Sequence, residues 1–220
     1  MDFPSFSQVL DFIGTFAFAI SGIRLASAKR FDLFGAYVVG FTTAVGGGVI
    51  RDVILGNTPP ATFQDPIYAM VALGTSLVLF LPGIRRLLMW DQRLYDLTLL
   101  VMDSAGLGIF TVMGIRIAYS STSDPTLFLL VFVGVVTGVG GGVLRDVMAG
   151  DMPYIFVKHV YASASLAGAL VCVGLWMAWG ELPAILGGTA VVILIRFLSA
   201  YFRWNLPHPY PDRKKPAHNE

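Results

Sequence analysis

The stretch VGFTTAVGGGVIRDVILG (Val39–Gly56) recurs in altered form as VGVVTGVGGGVLRDVMAG (Val133–Gly150). Twelve of the 18 positions are identical at an offset of 94 residues. Shared apolar composition accounts for matched glycines and valines. It does not account for an Arg-Asp pair at matched positions. The match therefore indicates an internal duplication of the chain.

The similarity continues upstream of this stretch. Asp11–Ala26 (DFIGTFAFAISGIRLA) aligns with Asp103–Ala118 (DSAGLGIFTVMGIRIA) at an offset of 92, with seven of 16 positions identical. Each copy holds three apolar segments. Because three is an odd number, the second copy must enter a membrane from the opposite side. We therefore predict a 3+3 inverted-topology repeat, with repeat one at about 9–86 and repeat two at about 94–179.

The composition indicates a membrane protein. The 220 residues are 55% hydrophobic and 13% charged, with a mean hydropathy of +0.71. Soluble domains carry about 25% charged residues, and a small fold cannot bury this much apolar surface. A soluble enzyme, a disordered chain and a collagen-like fibre are excluded. We expect an all-α integral membrane protein with seven transmembrane helices, because about 20 apolar residues span a bilayer. The candidate spans are Val9–Ala26, Leu33–Leu55, Ile67–Leu81, Leu94–Tyr119, Thr126–Ala149, Val160–Ala178 and Ala184–Phe202.

The basic residues predict the orientation. Lysine and arginine accumulate in cytoplasmic segments. With the N-terminus outside, Arg51 and Arg116 are the two outer bases and Arg196 lies within the last span. The other 12 fall on the cytoplasmic side: Arg24, Lys29, Arg30, Arg85, Arg86, Arg93, Arg145, Lys158, Arg203, Arg213, Lys214 and Lys215. We expect one transmembrane domain over 1–204, with the seventh helix at 184–202 added to the 3+3 core. Residues 205–220 form a polar, proline-rich cytoplasmic tail that we expect to be disordered.

Three consecutive glycines interrupt the second and fifth spans. They are Gly46, Gly47 and Gly48 in one copy, and Gly140, Gly141 and Gly142 in the other. Such a triplet allows close packing against another helix. It also weakens a helix, so that bare carbonyls and amides can line a polar cavity. The charged residues that follow favour the second interpretation, which predicts that helices two and five are broken at their glycines.

Charged residues follow both triplets. They are Arg51 with Asp52, and Arg145 with Asp146. An ionisable group at such depth costs about 2.5–3.5 kcal/mol, so these groups should face an interior and pair. Symmetry predicts two cross-helix pairs, Asp11 with Arg51 and Asp103 with Arg145. A local contact of each arginine with the adjacent aspartate is the alternative, disfavoured because neighbours on a helix point about 100° apart.

These pairs either belong to an ion pathway or hold the helices together, and the sequence leaves both open. Thr43 and Thr137 stand one turn before the glycines, where their hydroxyls either line a pore or bond back to a carbonyl of their own helix. We expect Arg24, Arg116 and Arg196 to extend towards the lipid headgroups.

Conventional catalytic motifs are missing from the sequence. The glycine motif is neither a phosphate-binding loop nor a dinucleotide fingerprint. His159 is the one histidine close to a span, so no metal cluster is expected, and Cys172 is interpreted as a small buried hydrophobe. The net charge of +1 does not favour a nucleic-acid partner. We predict no enzyme activity and no cofactor.

The paired GGGVIRD and GGGVLRD motifs, 94 residues apart in a chain of seven predicted spans, resemble those of the prokaryotic trimeric intracellular cation (TRIC) channels. The resemblance covers roughly Asp11 to Phe202. It implies a homotrimer in the prokaryotic plasma membrane, with one potassium-conducting pore in each protomer and phospholipid around the protomers. Carried over by motif position, the pore region comprises Gly46, Gly47, Gly48, Arg51, Asp52, Gly140, Gly141, Gly142, Arg145 and Asp146.

Two other functions remain open at this stage. Inverted repeats with broken helices also suit alternating access, and arginines with exposed amides bind carboxylates. The chain could then be a secondary transporter of a small zwitterionic or anionic solute. The third reading is a non-conducting scaffold or lipid-binding protein.

Overall fold

A computed structural model describes residues 6–80, 92–157 and 160–204, and these ranges are helical apart from their connections. The helices are α1 (Phe6–Ala28), α2 (Leu33–Ile54), α3 (Ala61–Gln64), α4 (Ile67–Phe80), α5 (Gln92–Ser121), α6 (Leu127–Met148), α7 (Tyr154–Val157), α8 (Ala162–Trp179) and α9 (Glu181–Tyr201). In this part of the chain, six helices are long and apolar enough to cross a membrane, namely α1, α2, α5, α6, α8 and α9.

The expected all-α membrane architecture is confirmed for these six helices. The third predicted span, Ile67–Leu81, corresponds to α4, which has 14 described residues. Because α4 is shorter than a full span in the described range, the count of seven stays a prediction, as does the single domain over 1–204. Several residues used to predict orientation lie outside the described ranges, together with His159 and the tail at 205–220: Arg85, Arg86, Lys158, Arg213, Lys214 and Lys215.

Helices α2 and α6 begin and end at equivalent positions of the two repeats. The side chain of Asp32 accepts a hydrogen bond from the Gly35 N–H at 2.7 Å, and Thr126 caps α6 in the same way. Such caps satisfy N–H groups that have no partner within the helix. Beyond the other ends, Gly56 and Gly150 have φ angles of 74° and 71°. Glycine adopts this left-handed conformation easily, so both helices stop there.

The helix contacts follow the duplication. α1 packs on α2 as α5 packs on α6, and α4 packs on α1 and α2 as α8 packs on α5 and α6. Equivalent helices also meet each other across the molecule. Gly14 contacts Phe110 while Gly106 contacts Phe18, so α1 and α5 run antiparallel. A twofold axis perpendicular to the helices produces this relationship, as an inverted repeat requires.

Helix α9 has no equivalent in repeat one. It packs on α8 and α5, both from repeat two. Gly108 of α5 makes room for it, because a Cβ there would lie 3.1 Å from the carbonyl oxygen of Thr189. The position equivalent to Gly108 in repeat one is Phe16, which is 49% exposed. The extra helix thus covers one half of the duplicated core.

The glycine triplets do not break their helices, so this prediction is wrong. α2 is continuous over Leu33–Ile54 and α6 over Leu127–Met148. The two helices cross at the triplets, where a Cβ on Gly47 would lie 2.1 Å from the carbonyl oxygen of Thr137. Close packing is therefore what the triplets provide in this structure, because no other residue lets the backbones approach so closely.

Candidate functional site

Arg145 is the centre of a buried charge cluster in repeat two. Its side chain is fully buried, at 0% exposure. One guanidinium nitrogen, Nη1, contacts Asp103 Oδ1 at 2.5 Å and also donates to the Ser21 hydroxyl. Nε donates to Asp146 Oδ1 at 2.8 Å. The cross-helix contact expected from the repeat symmetry and the local alternative are thus both present. A charge buried to this degree persists because it is paired and hydrogen-bonded.

Asp103 connects this cluster to two further helices. The Tyr161 hydroxyl donates to Asp103 Oδ1 at 3.4 Å. Arg196 Nη2, from α9, lies 3.7 Å from Asp103 Oδ2. The Arg196 guanidinium also stacks on the Tyr161 ring at 4.9 Å from its centre, and Arg145 lies 5.1 Å from the centre of the Tyr154 ring. Aromatic faces attract cations in such positions.

Arg196 is 5% exposed and Arg24 is 4% exposed. Neither extends towards lipid headgroups as the sequence suggested. Arg196 turns inward because Asp103 and Tyr161 offer its charge partners within the protein. Arg116 differs from both, since it is partly exposed and donates to Glu181 at 2.6 Å.

The equivalent cluster in repeat one is built differently. Arg51 Nε donates to Asp52 Oδ1 at 2.8 Å. Among the described residues, no ion pair joins Arg51 to Asp11, so the predicted cross-helix pair is absent and the local contact has formed instead. Asp11, Arg51 and Tyr68 nevertheless line one small cavity together.

Sequence differences between the repeats explain this asymmetry. Ser21, which binds Arg145, lies at the same repeat position as Met113, and a thioether is at most a weak hydrogen-bond acceptor. Tyr154, which stacks on Arg145, corresponds to Ala61. Arg196 has no counterpart at all. The partners that hold the second cluster together are therefore missing from the first.

Asp52 and Asp146 do have the same structural role. The second carboxylate oxygen of Asp52 accepts from the Ala61 N–H at 3.0 Å, and that of Asp146 accepts from the Tyr154 N–H at 2.9 Å. These N–H groups begin the short helices α3 and α7. Each aspartate thus joins its arginine to the connection that follows α2 or α6.

Two cavities approach the clusters. The first, here called the Asp103 cavity, has a volume of about 410 Å³. Its polar lining consists of Asp96, Asp103, Tyr154, Arg196, Ser199 and Arg203. The second, here called the Asp11 cavity, has a volume of about 40 Å³. Its polar lining consists of Asp11, Thr15, Arg51, Thr62 and Tyr68, with Gly48 and Phe110 beside them. Each cavity thus contains the aspartate that begins its repeat.

The crossing of α2 and α6 contains the other predicted pore residues. Gly46, Gly47, Gly140 and Gly141 are packed against the opposite helix. Gly48 lines the Asp11 cavity, and Gly142 lies against the Tyr161 hydroxyl. Phe18 and Phe110, at equivalent positions, lie beside the crossing with ring centres 5.2 Å apart and ring planes tilted by 56°.

Thr43 and Thr137 are buried and bond back to Val39 O and Val133 O, each at 2.6 Å. This is the second of the two roles considered for them, and they line neither of the two cavities described above. Within residues 6–80, 92–157 and 160–204, no cluster of three or more His, Cys, Asp or Glu side chains could hold a metal ion.

Three residues of the second cluster were not singled out from the sequence, namely Ser21, Tyr154 and Tyr161, and a fourth, Arg196, was expected at the lipid headgroups. Tyr161 could have been found from the repeat, because Tyr68 occupies the matching position. Ser21 and Tyr154 could not, since their counterparts are chemically different. Pro60 and Pro153 precede the short helices and were the available signal for them.

Comparison with known proteins agrees with this architecture. The family model described as "Glycine transporter" matches residues 8–82 and 100–177, which coincide with the two repeats. The UPF0126 inner membrane protein YadS of Escherichia coli is 38% identical over 203 residues, which cover 91% of this chain and 93% of YadS. A UPF0126 membrane protein of Deinococcus radiodurans is 40% identical over 192 residues, covering 86% of each chain.

Solved structures of TRIC channels have the same fold. A chain from a study of conductance through TRIC cation channels superposes with a TM-score of 0.81 and 33% identity, covering 96% of this chain and 100% of its own. The TRIC orthologue from Rhodobacter sphaeroides gives a TM-score of 0.82 and 31% identity, covering 91% and 100%. The matched family model and the matched solved structures are those of membrane transporters and channels, not of enzymes. The chain is thus a multi-pass cell-membrane protein that belongs to the UPF0126 (glycine transporter) family and has the fold of the prokaryotic TRIC channels.

Proposed function

We propose that this protein is a channel for monovalent cations, chiefly potassium. One observation carries the proposal: each repeat has a cavity that contains its equivalent carboxylate, and both carboxylates lie near a glycine triplet. The Asp11 cavity is lined by Gly48, and Asp103 is bound by Tyr161, whose hydroxyl lies against Gly142. The solved TRIC cation channels supply the activity that this arrangement suggests. The pathway would run within one protomer, from the Asp11 cavity past the crossing to the Asp103 cavity.

The charges suit a cation pathway because the arginines are neutralised. An unpaired arginine would repel a passing cation. Arg145 is paired with Asp103 and Asp146, and Arg51 with Asp52. At the crossing the glycines leave backbone carbonyls without covering side chains, and such carbonyls can replace part of the water shell of a cation. Because the backbones touch there, conduction requires α2 and α6 to move apart.

The assembly and orientation form part of the proposal. The excess of basic residues supports a cytoplasmic C-terminus, so the Asp103 cavity would open to the cytoplasm. The TRIC orthologue is described as trimeric, and we propose the same homotrimer here. Exposed apolar residues such as Met177, Phe128 and Tyr201 would contact lipid or a neighbouring protomer.

Recording of the purified protein in a planar bilayer under a KCl gradient tests the channel. We expect discrete openings that reverse near the potassium potential, and a lower conductance at low salt in Asp11→Asn. Asp151→Asn, on a loop away from both cavities, is the matched control and should conduct as the wild type does. Reversal near the chloride potential would contradict cation conduction.

A second function is favoured by one observation. Each cavity contains both an arginine and an aspartate, the pair of charges that would recognise a small zwitterion such as an amino acid. The family model is described as a glycine transporter. Proteoliposomes loaded with unlabelled glycine should then exchange it for labelled glycine in a saturable manner, without unitary currents. Currents without exchange would exclude this alternative.

A further inference from the structure

We infer that Arg196 makes the two ends of the pathway electrically different and thereby favours cation flow in one direction. The inference rests on the proposed channel function. Arg196 belongs to α9, the helix that has no equivalent in repeat one. Its guanidinium lies 3.7 Å from Asp103 and stacks on Tyr161, with 5% of the residue exposed.

Among the described residues, positive and negative side chains balance in the Asp103 cluster but not in the equivalent cluster of repeat one. Around Asp103, the carboxylates of Asp103 and Asp146 face the guanidinium groups of Arg145 and Arg196. Nearer the mouth of that cavity, Asp96 and Arg203 again carry opposite charges.

In the equivalent region of repeat one, Asp11 and Asp52 face Arg51. Arg116 also attracts Asp11, but it is itself paired with Glu181, so these two charges cancel. One negative charge is left over there. Arg196 supplies the positive charge that removes this excess from the second half.

A permeating cation therefore meets two different carboxylates. Asp103 is shared between two guanidinium groups, so it attracts a cation weakly. Asp11 has no ion-pair partner among the described residues and attracts a cation more strongly. A unit charge about 6 Å away in water changes the local concentration of a monovalent ion about threefold. Cations should enter less readily from the Asp103 side than from the Asp11 side.

The effect of Arg196 on the electrostatic potential of the Asp103 cavity can be measured without recording any current. Ala200 is exposed and lines the Asp103 cavity, and the single native cysteine, Cys172, is buried at 0% exposure. In an Ala200→Cys background, the thiol is labelled with cationic and anionic methanethiosulfonates of similar size. Arg196→Gln should raise the cationic-to-anionic rate ratio about tenfold, since about threefold is expected for each reagent. Arg196→Lys keeps the charge and should keep the ratio.

Bilayer currents then test the direction of flow. In about 0.1 M KCl, Arg196→Gln should increase about threefold the current that enters from the Asp103 side, while Arg196→Lys keeps the wild-type asymmetry. The effect should vanish at about 1 M KCl, where the screening length is about 3 Å. Arg203→Gln, exposed at the mouth of the same cavity, is the matched control and should change both readouts less. Labelling at Ala200→Cys from one side reports the orientation of the protein.

Each outcome decides the inference. A folded Arg196→Gln protein with an unchanged labelling ratio and unchanged current asymmetry would overturn it. An equal effect of Arg203→Gln would also overturn it, since any positive charge at the mouth would then suffice. A changed labelling ratio in a protein that passes no current would contradict the channel proposal and the directional flow, and would uphold only the electrical difference.

Discussion

Gly47 of α2 lies so close to Thr137 of α6 that a Cβ on the glycine would come within 2.1 Å of the threonine carbonyl oxygen. Gly141 stands in the same relationship to Thr43. Backbone atoms cannot give way as a flexible side chain can. The crossing thus depends on glycine at both positions, and its geometry is reciprocal as the duplication requires.

Substitution of these glycines should separate the helices. We expect Gly47→Ala and Gly141→Ala each to lower stability by about 1–3 kcal/mol, the usual effect of overpacking. Thermal unfolding of the protein in detergent measures it. Gly174→Ala is the matched control, because a Cβ at Gly174 meets nothing within 4 Å and alanine favours a helix. Equal stability of Gly47→Ala and Gly174→Ala would show that the crossing is loosely packed.

The two aspartates that begin the repeats should differ in their contribution to stability. Asp103→Asn removes the principal partner of a fully buried arginine, and stranding such a charge costs about 3–5 kcal/mol. Asp11→Asn breaks no ion pair of the described residues and should cost about 1 kcal/mol or less. Denaturant unfolding of both variants gives the two losses of unfolding free energy. Similar losses would contradict the conclusion that only Asp103 belongs to a buried ion-pair cluster.

Ser21 should stabilise the second cluster from the opposite repeat. Ser21→Ala leaves the Arg145 donor without its hydroxyl acceptor, which costs about 1–3 kcal/mol in a buried site. The control is Ser199→Ala, because the one hydrogen bond of the Ser199 hydroxyl within the described residues goes to the Arg196 carbonyl of its own helix. A change of a few tenths of a kcal/mol is expected there. The prediction fails if unfolding experiments give both alanine variants the same stability.

The ends of α1 and α5 make equivalent contacts of different chemistry. Lys29 forms an ion pair with Asp151, whereas Ser121 accepts from Asn57 Nδ2 at 3.0 Å. Both contacts are exposed, so a double-mutant cycle on Lys29 and Asp151 should give a coupling below about 1 kcal/mol. The coupling should fall at high salt, whereas that of Asn57 with Ser121 should not. A salt-independent coupling for Lys29 and Asp151 would refute this.

The duplication made most of the fold predictable. It indicated which helices are equivalent, and all six long helices of the described ranges begin and end within three residues of the predicted spans, as at Leu33–Ile54. The glycine triplets were misjudged because a sequence does not say whether another backbone approaches. The pair of Asp11 with Arg51 was expected from symmetry, but Met113 stands where Ser21 supports the other arginine. Arg196 was expected at the lipid headgroups because its partners, Asp103 and Tyr161, are far from it in sequence and meet it only in the folded protein.

The difference between Gly108 and Phe16 has a consequence for how such a chain could have arisen. Two identical copies of a three-helix protein could assemble face to face in a membrane and would look the same from either side. Once one copy carries glycine where α9 docks and the other carries phenylalanine, the copies are no longer interchangeable. A tandem of two repeat-one sequences would have no surface on which α9 could pack. A tandem of two repeat-two sequences would have two such surfaces.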